Sequence, residues 1–411
     1  MLENKIEEIE RQNASVFKEI NDICFYNSKK VLDAFIKNKI SSSDFASTTG
    51  YGIGDAGRDK IEKVYKDVFK CESALVRTQF ISGTHALTVA FFAVLRPGDT
   101  MLSITGKPYD SLHEVIGITP NESSLKAFNI NFKYIDLINN DFNYDEIKNN
   151  LDGIKVIHVQ RSLGYGNRNT ISIQKLEKVI SFIKNINPSI IILVDNCYCE
   201  MCSKKEPTEV GADIVVGSLI KNLGAGIASN GAYIVGKEKY VKLASERLTA
   251  PGLGFEVGPT LNQNKSFLLG LYLAPNVVKN ALKIKVLTKE LFTSLGYKLV
   301  NSNLDDIVLG IIFNDEEKLI KYVSAIQNNS PIDSSFTPEK TDMPGYDTQI
   351  IMASGSFTDG SSIELSCDAP TREPYIAYQQ GSLTYEYGKI VIVRALEHMI
   401  KWKRWNKWQI N

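Results

Sequence analysis

The stretch that decides the fold reads SIIILVDNCYCE over residues 189–200 and GADIVVGSLIKNLGAGIASNGAYIVG over residues 211–236. Residues 190–194 and 214–216 are short β-branched runs bounded by turn signals, which predicts buried strands. Asp195 stands just past the first strand, and Lys221 follows Ser218 just past the second. In an α/β sheet the carboxyl ends of the strands line the ligand crevice, so these side chains are expected to converge there.

A carboxylate and a lysine meeting in a crevice suit pyridoxal 5'-phosphate (PLP). The lysine forms the Schiff base, and the acid keeps the ring nitrogen protonated so that the ring withdraws electrons. The Ser218 hydroxyl is placed to reach the phosphate. Asn222-Leu223-Gly224-Ala225-Gly226 supplies small residues that let backbone pass close to a ring. Read alone, the same residues also fit a solvated turn lysine and a helix-capping aspartate.

The rest of the chain bears on that choice. Its 411 residues exceed the usual length of one domain, and 43% hydrophobic with 23% charged residues is ordinary globular composition. A formal net charge of zero gives no global argument for nucleic acid or an anionic membrane as partner. The charged N-terminus MLENKIEEIERQ lacks the apolar core of a signal peptide, and no run is long enough to span a bilayer. Six cysteines in a chain this long do not suggest a disulfide framework, so a cytoplasmic location is expected.

Strands at 73–79, 100–104, 131–137 and 155–159 join the two central ones, with helices between them, notably at 144–151 and 173–186. This alternation predicts an α/β fold with a mainly parallel sheet covered by helices on both faces. Ser82-Gly83-Thr84 lies between a strand and a helix reaching about residue 95, where free backbone N–H groups make an anion site. A structural N-cap by Ser82 needs the same residues, and His85 in the first turn is read as packing. Tyr109 falls at a strand's carboxyl end, to stack on a cofactor ring or to sit in the core or rim. Ahead of these, residues 1–47 form a helical arm, and loop 48–58 has four glycines in eight residues. Tyr51 and Arg58 flank that loop, either binding an anion or acting as a packing tyrosine and an exposed arginine.

After the glycine-rich loop 247–256 and a long helix over 265–295, the style changes. Short strands at 297–301, 307–313, 350–357 and 363–366, with helices at 316–327 and 384–403, predict a smaller α+β domain. The expected organisation is an N-terminal arm and loop (1–55), a large PLP-binding α/β domain (56–275) and a small C-terminal domain (276–411). In the loop 366–375, Arg372 is either a surface residue or a bidentate clamp for a substrate carboxylate.

Taken together, TTGYGIGDAGRD (48–59), QFISGTHAL (79–87), ITGKPYD (104–110), VDNCYCE (194–200), GSLIKN (217–222), RLTAPGLGFEVG (247–258), GSSIELSCDAPTREPY (360–375) and QGSLTYEYGK (380–389) resemble one family. The chain is similar to the PLP-dependent transferases of fold type I. More narrowly it resembles the methionine gamma-lyase family proteins known as aluminium resistance proteins, relatives of cystathionine beta- and gamma-lyases. The resemblance implies that Lys221 carries the cofactor, Asp195 pairs with the pyridinium, and Tyr109 stacks on the ring. It implies that Ser82, Gly83, Thr84 and Ser218 hold the phosphate, with Arg161 in the cofactor set and Tyr51 and Arg58 arriving from a neighbouring subunit. Arg372 takes the substrate carboxylate. The implied activity is a carbon–sulfur lyase acting by β- or γ-elimination on cystathionine, cysteine or methionine, in a homodimer or homotetramer. Transamination on the same scaffold is the alternative reaction.

One departure stands out. The family has glycine within DNCYGE where this chain has Cys199, giving Cys197-Tyr198-Cys199 and then Cys202. Three thiols so spaced suit zinc or another soft metal, and a metal- or stress-binding role is the reading from another class. Free cysteines beside the cofactor strand are the simpler one. In the tail, Trp402, Trp405 and Trp408 alternate with cations, to bind nucleic acid or a membrane surface, or to be buried against protein.

Overall fold

In the computed structural model, backbone is described for residues 2–409 and side chains for residues 4–399. Two helices, α1 (Leu2–Gln12) and α2 (Ala14–Lys37), form the N-terminal arm. The large sheet region follows as α3 (Ala56–Val68), β1 (Ser73–Arg77), α4 (Gly83–Val94), β2 (Thr100–Ser103), α5 (His113–Ile116), β3 (Asn131–Tyr134), α6 (Tyr144–Asn149) and β4 (Ile154–Gln160). It continues through α7 (Ile173–Ile186), β5 (Ile191–Asp195), β6 (Ile214–Ser218), β7 (Ala232–Gly236), α8 (Glu238–Leu248) and α9 (Asn264–Ser294). The remainder is β8 (Lys298–Val300), β9 (Leu309–Ile312), α10 (Glu316–Asn328), β10 (Ile350–Ala353), β11 (Ser366–Pro370), β12 (Ile376–Gln380) and α11 (Tyr385–Gln409).

The large sheet has the order β1-β7-β6-β5-β4-β2-β3. Every neighbouring pair from β6 to β3 is parallel, and β7 alone runs against its neighbours. Strands β5, β6 and β7 are buried along their whole length, as their unbroken Ile, Leu and Val runs require when helices cover both faces. α7 shows how those helices attach: Ser172 caps it by accepting from the Lys175 N–H. Ile173, Leu176, Val179, Ile180 and Ile183 recur at helical spacing and are buried. The result places the carboxyl ends of β4, β5 and β6 side by side, with Gln160 paired to Asp195 and Asp195 to Val216.

A second, antiparallel sheet has the order β10-β11-β12-β9-β8. The sequence differs from expectation here. Residues 363–366 are not a strand; β11 begins at Ser366 and occupies half of what reads as a proline-rich loop, and β12 has no counterpart in the prediction. The reason lies in composition. SCDAP and IAYQQ carry Ser, Asp and Gln inward, and all ten residues are buried, so the alternation that marks a strand is missing. After Gly106 the chain forms a 3-10 turn at Asp110–Leu112 followed by the single turn of α5. The tail tryptophans Trp402, Trp405 and Trp408 lie outside the residues whose side chains are described. Among the described residues no helix is long and apolar enough to cross a membrane.

The long helix α9 spans both sheets. Its Gly270 is needed where the helix passes the turn after Lys221, because a Cβ there would stand 2.7 Å from the Gly224 carbonyl oxygen. Further along α9, the buried Lys285 Nζ donates to the carboxylate and the backbone carbonyl of Asp306, both at 2.9 Å. Asp306 also accepts from Ser162 Oγ and Thr170 Oγ1 in the loop beyond β4, and from Asn301 Nδ2 and the Val308 N–H beside the small sheet. Removing one member of a buried pair strands the other charge, so Asp306→Ala is expected to cost about 3–5 kcal/mol in denaturant unfolding. A loss below about 1 kcal/mol would show that this network is not what joins the two sheets.

Candidate active site

The carboxyl ends of β5 and β6 open onto a cavity of about 270 Å³, closed on its far side by residues of the small sheet and its loops. Lys221, Asp195, Tyr109 and Ser218 border it, together with Ser82, Gly83 and Thr84. Lys221 is displayed by a tight turn: Ala225 adopts a left-handed φ of 52°, and Asn222 Nδ2 ties the turn to the Glu200 carbonyl. The Lys221 ammonium sits 3.9 Å from the centroid of the Tyr198 ring. Burial opposes that charge, but Cys197, Tyr198, Asp195 and Glu200 around it outweigh burial and hold its pKa above the ordinary lysine value. Asp195 receives the Cys197 N–H at 3.0 Å.

Opposite them, the N-terminus of α4 faces the same space. Ser82 caps the helix, accepting the His85 N–H at 3.0 Å, and Thr84 Oγ1 lies 2.7 Å from Ser111 Oγ. A Cβ at Gly83 would stand in ordinary contact with the Ser218 Cβ at 3.4 Å and the Cys197 Sγ at 3.6 Å. The Ser218 hydroxyl is buried there with no hydrogen-bond partner. An unpartnered buried hydroxyl beside a helix N-terminus fits a phosphate, which would accept from both. His85 packs edge-on against Phe80 and its Nδ1 accepts from the Ile81 N–H, the packing role expected of it.

Tyr109 is fixed by two contacts. Its N–H donates to Gln160 Oε1 at 2.7 Å, and its hydroxyl pairs with that of Tyr346 at 2.7 Å. Tyr165 packs against both rings. Burial pushes the Tyr109 and Tyr165 phenols well above the usual tyrosine range.

Four other candidates lie elsewhere. Arg161 is fully buried behind the strand ends, with Nη1 on Asn196 Oδ1 at 2.7 Å and Nε on the Ile171 carbonyl, and it does not border the cavity. Arg58 is neither an exposed loop arginine nor a free donor fork. Its Nη1 donates to the carbonyls of Gly52 and Gly258, which pins the glycine-rich loop onto its own subunit. Tyr51, on that loop, is 80% exposed and does not border the cavity of its own chain. Arg372 borders a neighbouring cleft of about 420 Å³, where its nearest charge is Asp110 at 4.0 Å, and Tyr109 and Tyr165 form the wall between cleft and cavity.

Cys199 and Cys202 lie near one another, and neither borders the cavity. Cys197 faces the cavity, Cys202 Sγ points to the Tyr198 carbonyl, and Cys199 lies beside Arg161. Among the described residues no group of His, Cys, Asp or Glu is arranged to hold a metal ion. Sequence reasoning also missed Tyr165, Tyr198, Tyr346, Asp368 and Gln380, all bordering the cavity. Tyr198, Asp368 and Gln380 lay inside motifs already singled out, but each motif drew attention to a neighbour.

The sequence profile of the methionine gamma-lyase family matches residues 2–400. The chain belongs to that family. The Bacillus subtilis protein YnbB is 44% identical over 409 residues, covering 98% of this chain and 97% of its own. Among solved structures, a carbon-sulfur lyase involved in aluminium resistance from Clostridium novyi superposes with a TM-score of 0.91 at 45% identity, covering 96% of this chain and 94% of its own. A Listeria monocytogenes protein, provisionally named a cystathionine beta-lyase involved in aluminium resistance, gives 0.93 at 43% identity over 96% and 98%. At 16% identity, the pyridoxal-5'-phosphate dependent protein YhfS of Escherichia coli shares the fold, with a TM-score of 0.62.

Beside Lys221, Glu200 is wholly buried, and burial pushes its carboxyl up to about 8 although the Tyr233 hydroxyl donates to it at 2.9 Å. A carboxyl raised from 4.5 in this way binds its proton more tightly folded than unfolded. Its stabilising share is therefore complete below about pH 4.5 and is lost as pH rises through about 8. Thermal unfolding followed between those limits should decline less steeply for Glu200→Gln than for the unsubstituted protein. Parallel curves would contradict a buried protonated Glu200.

Proposed function

We propose that the protein is a PLP-dependent carbon–sulfur lyase of fold type I that acts on a sulfur-containing amino acid by β- or γ-elimination. The observation that carries this reading is the meeting of Lys221, Asp195 and the unpartnered Ser218 hydroxyl around one cavity at the N-terminus of α4. Membership of the methionine gamma-lyase family and likeness to the C. novyi carbon-sulfur lyase support it.

In this reading Gly83, Thr84 and Ser218 hold the cofactor's phosphate through backbone N–H and hydroxyl donors. Asp195 keeps the proton on the ring nitrogen, and Tyr109 bounds the space the ring would fill. PLP, when bound, supplies an electron-withdrawing ring that stabilises negative charge at the substrate's α-carbon. Lys221 Nζ takes the proton from that carbon as general base. The substrate's C–S bond then breaks, the thiol leaves with a proton, and hydrolysis of the remainder gives ammonia and a 2-oxo acid. The wall formed by the small sheet keeps the reacting carbon from bulk water.

The protein acts in this proposal as a homo-oligomer, with the exposed Tyr51 completing a neighbouring subunit's cavity. That arrangement would give a purpose to a tyrosine 80% exposed on a loop pinned by the buried Arg58. A monomer by light scattering at working concentration would contradict it.

The reaction is tested by incubating the holoenzyme with cystathionine, cysteine or methionine and measuring 2-oxo acid and ammonia without an added oxo-acid acceptor. Both products should appear, and Lys221→Ala should lower the rate by about 10²–10⁴-fold or more. Full activity in that variant, or a strict need for an oxo-acid acceptor, would overturn the lyase assignment.

A further inference from the structure

The cavity wall facing Lys221 contains a carboxylate with no charged partner. Asp368 sits in the middle of β11, paired across the sheet to Met352 and Tyr378. It is 8% exposed, borders the cavity, and accepts from Gln380 Nε2 at 3.1 Å. Among the described residues no lysine or arginine comes within ion-pairing distance of it. Buried carboxylates are ordinarily paired with a cation, because the cost of removing their charge from water is otherwise uncompensated. Burial accordingly pushes the Asp368 carboxyl up to about 6, against the hydrogen bonds from Gln380 and Tyr165 and the pull of Lys221.

Its surroundings are aromatic. Tyr109, Tyr165, Tyr198 and Tyr346 all border the cavity; burial chiefly raises the pKa of each phenol, and the nearby charge of Asp368 adds to it. A carboxylate among tyrosine rings is the chemistry that recognises an alkylammonium, by charge pairing on one side and ring quadrupoles on the others. The box already shows this preference, since the Lys221 ammonium rests over the Tyr198 ring. The charged side chains bordering the cavity are two carboxylates, Asp195 and Asp368, and one lysine; Arg372 and Arg168 border the neighbouring cleft instead. The cavity therefore favours a ligand that brings an additional positive charge.

We propose that Asp368, ringed by Tyr109, Tyr165, Tyr198 and Tyr346, binds an ammonium group at the far end of the substrate's side chain. The substrate class is then thioether amino acids with a second, cationic end, in preference to those ending in an alkyl group. This rests on the lyase reading of the same cavity.

The test uses ligands that lack sulfur, so that binding is read without turnover. Calorimetric titration of the holoenzyme compares L-ornithine with the isosteric L-norleucine, and L-lysine with L-2-aminoheptanoate. In at least one pair the cationic member should bind about tenfold or more tightly, the range for a charged hydrogen bond in a buried site. Asp368→Asn should bring that ratio to about one. Equal affinity in both pairs, preference for the neutral members, no binding by any of the four, or a preference that survives Asp368→Asn would each overturn the proposal. The wild-type comparison decides even if the variant does not fold. Failure of the lyase reading shows up separately, as absence of 2-oxo acid from every thioether tested.

Discussion

Lys285 and Asp306 are an ion pair removed from solvent, and the active cavity depends on where they hold the chain. Asp306 collects donors from α9, from the loop beyond β4 and from the approach to β9. That loop carries Tyr165, and β9 pairs with β12, which pairs with the strand carrying Asp368. A shift of the small sheet against the large one would thus move two walls of the cavity together. An ion pair in this position contributes little net attraction after desolvation, yet it penalises any arrangement that separates its members.

The other half of the cavity is fixed by ordinary sheet geometry. Parallel pairing of β4, β5 and β6 brings Gln160, Asp195 and Val216 level, so the first residues beyond each strand share one edge. Gln160 orients Tyr109 from that edge, Asp195 faces the cavity, and the turn after β6 presents Lys221. α4 aims its N-terminus at the same place. Reactive groups from four separate segments are held there by backbone pairing, which loses little order when a ligand enters or leaves.

This part of the molecule was legible in the sequence because its strands are apolar and β-branched, and the candidate residues that border the cavity follow them directly. Lys221, Asp195, Ser218, Tyr109 and Ser82-Gly83-Thr84 were all recognisable as strand-end or helix-start residues. The small-sheet wall was not. β11 and β12 turn Ser366, Asp368 and Gln380 toward a cavity, and these polar residues remove the hydrophobic signal that would have marked the strands. The arginines were harder to place from sequence: within one chain Arg58 donates to the Gly52 and Gly258 carbonyls and to Asp59, Arg161 is buried on Asn196 and the Ile171 carbonyl, and Arg372 lies beyond a wall of tyrosines. Spacing along the chain carries no information about which acceptors a guanidinium will meet. The cysteine spacing is equally silent on position: Cys197 borders the cavity, whereas Cys199 and Cys202 both lie near Arg161.

The central claim is that the Lys221 cavity is a pyridoxal phosphate site, and it can be tested without knowing the substrate. The purified protein, supplied with PLP, is examined by absorption, reduced with borohydride, digested and mapped by mass spectrometry. The account predicts a visible band that is bleached on reduction, with the pyridoxyl group fixed on the peptide containing Lys221. Absence of the band, or a label fixed on another lysine, would contradict it.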